Sequence, residues 1–162
     1  MGICQNHTHA QLVESAAKWL KRNGFSVIGT EIIASGSREI PDAIGFREAG
    51  TCTALVEVKV SRSDFLADAK KPWRAPGAAG LGLYRFYLSP PDVISIEDLP
   101  AGWGLLHASG RRILDVHRPL GNSWPVSEEH AMSAGGWLEF QHKADRAAEL
   151  AILFSIARRL SV

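Results

Sequence analysis

Cysteine is scarce in this chain: 162 residues hold only Cys4 and Cys52. Two are too few for a disulfide framework, and they share no metal-ligand spacing. Read as reduced thiols, they lead us to expect a cytoplasmic protein. Long apolar runs are also missing, the longest falling far short of the ~20 residues that cross a bilayer, so no membrane partner is expected. Met1 to Asn23 is polar and then amphipathic, without the basic-then-apolar order of a secretory leader. Charge of one sign is lacking too. A formal net charge of +1 at pH 7 excludes binding of nucleic acid through the global charge of the molecule. Zinc ligands are not grouped: His7 and His9 lie close together, but His107, His117, His130 and His142 are scattered, and no zinc centre is expected. The glycine-rich stretch Gly77 to Gly82 has no Gly-Lys-Ser/Thr, which argues against a nucleotide-phosphate loop.

What is present suits one globular unit. A hydrophobic fraction of 46% over 162 residues is enough for a single sizeable core. We expect one domain over residues 1–162, with a core at about 10–117 and a C-terminal loop and helix at 118–162. Leu12, Val13, Ala16, Ala17, Trp19 and Leu20 recur at helical spacing in Thr8 to Asn23, and Gly24 supplies a stop. Phe25 to Ile33, Ala43 to Phe46 and Thr53 to Val60 read as strands, the last two joined by a turn at Glu48 to Gly50. Ser61 is placed to cap a helix running to Lys71, where Pro72 ends it. Trp73 to Leu83 reads as a loop, and Arg85 to Leu88 as a strand. Gly104 to Ala108 and Arg112 to His117 form a strand pair, Arg118 to Gly136 is irregular, and Leu138 to Leu160 is one long helix. The order predicts an α/β fold: a mixed sheet flanked by helices, with a long C-terminal helix.

The chemistry concentrates on three residues. Glu57 and Lys59 are two apart on a strand and share a face, while Val56, Val58 and Val60 point to the other. Asp42 opens the preceding strand after Pro41, so a hairpin would set Asp42 beside Glu57. Two carboxylates and the Val58 backbone carbonyl make an oxygen-rich donor set for Mg²⁺ or Mn²⁺. A cation there would polarise a phosphate and acidify water, with Lys59 offsetting charge on the phosphate oxygens.

Ile40-Pro41-Asp42-Ala43, followed by Glu57-Val58-Lys59, resembles the PD-(D/E)XK nuclease signature. The run from Glu57 to Asp68 is also similar to the MmcB-like DNA repair proteins of that superfamily, and the resemblance extends over roughly Ala10 to Leu106. It implies a restriction-endonuclease-like αβββαβ core and a Mg²⁺- or Mn²⁺-dependent endonuclease that hydrolyses DNA phosphodiesters in repair, recombination or phage DNA processing. Asp42, Glu57 and Lys59 would be the catalytic residues. A glutamate on the first helix joins the site in many relatives, which makes Glu14 a further metal candidate, although Lys18 four residues on is an ordinary ion-pair partner for it. Glu39 is another carboxylate near Asp42, with the adjacent Arg38 as the simplest partner. The alternative is the same fold holding DNA without cutting it, or serving as an interaction scaffold.

From Lys59 to Arg85 six basic residues meet two acidic ones, a local surplus of four positive charges. Phosphate contacts need such a patch rather than a high global charge. Lys70, Arg74, Lys71 and Arg62 are the expected DNA contacts. Lys70 leads because Asp68 is available to pair with Lys71; Phe65, Leu66 and Ala69 are expected to face the sheet. Trp73 and Tyr84 could stack on bases but suit loop anchoring better. Leu150, Leu153, Phe154, Ile156, Ala157 and Leu160 read most simply as core, with a homodimer face as the alternative.

Overall fold

The computed structural model describes residues 6–161. Cys4 lies outside them, and so does the start of the N-terminal segment. Helix α1 (His9–Arg22) begins at a capping box: the Thr8 hydroxyl accepts from the Gln11 N–H while the Gln11 side chain accepts from the Thr8 N–H. It buries Leu12, Val13, Ala16, Trp19 and Leu20, the apolar face that the sequence spacing predicts.

Six strands follow: β1 (Val27–Thr30), β2 (Ala43–Arg47), β3 (Cys52–Val58), β4 (Tyr84–Ser89), β5 (Trp103–Ser109) and β6 (Arg112–His117). They form one mixed sheet in chain order. The β1–β2, β2–β3 and β5–β6 pairs are antiparallel; β3–β4 and β4–β5 are parallel. Helix α2 (Arg62–Asp68) lies on the β3-to-β4 crossover. The expected mixed sheet flanked by helices is therefore the fold of this chain.

Each face of the sheet carries its own apolar cluster. Alternation along β3 sends Ala54, Val56 and Val58 to the α1 side, where Phe86, Trp124 and Trp137 join them. Leu55 points the other way, with Phe65, Tyr87, Trp103 and Ile152. Every residue of β3 is buried, as a central strand covered on both faces requires. By the same alternation Glu57 and Lys59 enter the second layer, where charge must be paired or neutralised.

Several boundaries differ from the sequence reading. The first strand stops at Thr30, because Glu31 turns to φ 50°, its N–H donating to the carbonyls of Pro41 and Asp42. The segment after Arg118 is not all irregular: it includes helix α3 (Glu128–Ser133), capped by Ser127. Trp124 and Trp137 are fully buried in the main cluster, so the core does not end near His117. The long final helix is broken. A single turn at Leu138–Phe140 is followed by helix α4 (Arg146–Leu160). Between them the chain runs beside the Gly80–Leu83 loop, through His142 N–H to the Leu83 carbonyl and Asp145 N–H to the Gly80 carbonyl, 2.8 Å each. Those bonds occupy groups that a continuous helix would need. Helix α4 buries Ala148, Glu149, Ile152 and Ile156 and leaves Leu150, Phe154 and Leu160 in solvent, so these three are not core. No described helix is long and apolar enough to cross a membrane.

Candidate functional site

The hairpin between β2 and β3 assembles the motif. Ala43 pairs with Val56, so Asp42 stands one step further on, opposite Glu57. The Val58 N–H donates a 2.8 Å hydrogen bond to Asp42 Oδ2. The other carboxylate oxygen, Oδ1, lies 3.3 Å from Nε2 of His9, the first residue of α1. His9 Nδ1 is in turn 3.8 Å from Glu31 Oε1. The donor atoms of His9, Glu31 and Asp42 lie within 4.8 Å of one another, a partly exposed group that could close on a cation. Sequence reasoning set His9 aside for want of zinc spacing and missed Glu31, whose place depends on its left-handed backbone.

Behind Asp42 the charges are buried. Glu57 Oε2 is 3.6 Å from Lys59 Nζ, and Oε1 is 3.4 Å from Arg74 Nη2. Among the described residues neither Glu57 Oε1 nor Arg74 Nη2 has a hydrogen-bond partner, although both are buried. Burial, and next the charge of Asp42, push the Glu57 carboxyl up to about 8 against the pull of Arg74 and Lys59. Asp68 lies deeper. It accepts from the Tyr87 hydroxyl at 2.6 Å, Arg74 Nε at 2.9 Å and Lys59 Nζ at 3.2 Å, and it pairs with Lys71 Nζ at 2.8 Å. Burial favours the protonated form of Asp68. The charge of Arg74 and the hydrogen bonds from Lys71 and Tyr87 outweigh it and hold the carboxyl below the usual range. Arg74 also pairs with Glu39 and lies 4.9 Å over the Trp103 ring. Glu39 uses its second oxygen to accept from the Leu81 N–H. Its partner is thus Arg74 rather than Arg38. The network thus sets the three carboxylates Glu39, Glu57 and Asp68 against the three cations Lys59, Lys71 and Arg74.

This network changes the expected DNA contacts. Arg74 is not one of them: its side chain is 3% exposed and is held by three carboxylates. Arg62 makes a bidentate contact with Asp98, and Lys71 is paired with Asp68 as anticipated. Lys70 is exposed and carries no ion pair among the described residues. Helix α2 faces the core with Phe65 and Asp68, whereas Leu66 is 53% exposed and Ala69 is in solvent. A carboxylate with several partners replaces the apolar contact anticipated there. Ser61 caps α2, accepting from the Asp64 N–H. Tyr84 is fully buried, its hydroxyl donating to the Pro125 carbonyl, so it cannot stack on bases. Glu14 is exposed and pairs with Lys18 at 2.7 Å; the α1 side chain that meets Asp42 is His9.

Tyr87 was not singled out from sequence, and Asp68 only as an ion-pair partner for Lys71. Tyr87 carries a signal only once β3 and β4 are known to be parallel, because the register then sets it beside Glu57.

No protein-family model matches the chain, and no curated protein matches it. Among solved structures it is similar to the SPO1766 protein of unknown function from Silicibacter pomeroyi, with a TM-score of 0.62 at 21% identity over 96% of this chain and 88% of that one. At that identity the likeness concerns the fold alone.

Proposed function

We propose that this chain is a metal-dependent deoxyribonuclease. The observation that carries the reading is the placement of Asp42 opposite Glu57 at one end of the sheet, with Lys59 following on the same face 3.6 Å from Glu57. The donors suit a divalent ion. Asp42 offers a partly exposed oxygen, and Glu57 Oε1 is a buried oxygen without a hydrogen-bond partner among the described residues. Asp42, Glu57 and the Val58 carbonyl would hold Mg²⁺ or Mn²⁺, and the imidazole of His9 beside Asp42 is a donor better suited to Mn²⁺. Such an ion supplies Lewis acidity and an acidified water. Lys59 would offset negative charge on a phosphate, while Asp68 fixes its ammonium. A repair, recombination or phage-processing role and a homodimer belong to the same proposal.

Arg74 favours a second reading. Its guanidinium lies 3.4 Å from the Glu57 carboxylate, and a cation already in that place suits a module that holds DNA without hydrolysing it. Incubation with single-stranded, duplex, flap and four-way-junction DNA, in Mg²⁺, Mn²⁺ or EDTA, separates the two. Divalent-dependent cleavage supports the nuclease. Binding of DNA without cleavage under every condition supports the second reading.

A further inference from the structure

The basic residues of α2 and the turn after it are largely spent on ion pairs, yet a second set is not. A groove of about 710 Å³ runs between α1 and the β5–β6 hairpin. Gln11, Ser15, Lys18 and Arg22 line one wall at helical spacing, and Arg111 of the hairpin turn stands on the other. From Gln11 to Arg22 the α1 wall rises through eleven residue steps, ~16 Å at about 1.5 Å per residue. Lys18 is neutralised by Glu14. Arg22 and Arg111 are exposed and make no ion pair among the described residues. The groove starts at Asn6 and His7, two residues from His9 and hence from Asp42. The hairpin tip lies at the same end of the sheet as the motif, because β5 runs parallel to β4 and β4 to β3.

We infer that this groove, and not the α2 face, is the track for a nucleic-acid backbone leading to the Asp42 end of the sheet. It rests on the DNA reading above for the choice of ligand. Two unspent guanidiniums on opposite walls would clamp phosphates bidentately. The lining has no phenylalanine, tyrosine or tryptophan, so contact is with the backbone, insensitive to sequence and strongly dependent on salt. An acidic protein is the competing occupant. The groove favours phosphate because its two unpaired cations are guanidiniums on opposite walls, placed to meet a backbone lying between them.

The test is titration of the full chain against fluorescein-labelled single-stranded and duplex DNA in EDTA, at several salt concentrations. Binding is read without cleavage, so failure of the nuclease reading leaves this result intact. The Arg22→Ala, Arg111→Ala double variant should bind at least ~tenfold more weakly at low salt, with its log–log salt slope reduced by about 1.4 to 1.8 for two lost contacts. Lys70→Ala, just after α2, should change both less. Both groups are exposed, so the thermal midpoint of the double variant should match the parent. The inference is overturned by unchanged affinity and slope in the double variant, by a larger effect from Lys70→Ala, or by a parent chain that binds neither DNA. Competition by polyglutamate as effective as that by unlabelled DNA would assign the groove to an acidic protein instead.

Discussion

The Asp42 carboxylate accepts a 2.8 Å hydrogen bond from the Val58 backbone N–H. This bond ties the two halves of the motif together before any ligand arrives. It orients Asp42 with one oxygen engaged and the other turned toward His9. The hairpin therefore preorganises the carboxylate rather than leaving it on a loose turn.

Removing that acceptor should cost stability. Asp42→Ala is expected to lower the unfolding free energy by about 1 to 2 kcal/mol, at the low end for a hydrogen bond to a charged group that is partly exposed. Asp42→Asn, which keeps an acceptor oxygen, should lose less. Urea unfolding at neutral pH measures both; equal stability of the Ala variant and the parent would deny the bond its role.

Arg74 should behave as a structural cation. Its side chain is buried among Glu39, Glu57 and Asp68, so Arg74→Ala leaves unpaired charge and should destabilise by about 3 to 5 kcal/mol. An ammonium group cannot reproduce the planar fork of the guanidinium, and Arg74→Lys should recover little of the loss. A soluble Arg74→Ala variant with the parent's thermal midpoint would show that the cluster does not depend on it.

Much of this was legible in the sequence because it is local. The Ser61 cap, the apolar face of α1, the β2–β3 turn and the shared face of Glu57 and Lys59 follow from spacings of two to four residues. The Lys71–Asp68 pair follows in the same way. The buried network was not legible because its members come together only through the parallel crossover. Arg74 looked like a free cation until the fold brought Glu39, thirty-five residues away, against it. The apolar pattern of the last helix misled for a related reason: the bonds between residues 141–145 and the Gly80–Leu83 loop set where α4 starts and which of its faces turns inward.

Glu57 gives the site a pH dependence of definite sign. Its carboxyl is pushed up to about 8, against 4.5 for the ordinary group, so the native state keeps a proton that the unfolded chain releases. The burial of Glu57 is tolerated below the unfolded value and becomes progressively destabilising as pH rises through the folded one. Glu57→Gln should flatten the fall in thermal midpoint between about pH 4.5 and pH 8. A steeper fall in the variant would contradict the shift.

Metal affinity should run the other way. A cation must displace the Glu57 proton, so Mn²⁺ binding should tighten as pH rises toward and past 8, with proton release visible by calorimetry in two buffers of different ionisation enthalpy. Binding that is independent of pH would place the ion away from Glu57.

The most direct test of the central claim is the initial rate of DNA cleavage in saturating Mn²⁺ by the parent chain and by Asp42→Asn, with folding of both verified by circular dichroism. The account predicts cleavage by the parent that EDTA abolishes, and a loss of at least ~100-fold in the variant, comparable to removal of one electrostatic stabilising group. No cleavage by the parent of any DNA in the panel, or an undiminished rate in Asp42→Asn, would contradict it.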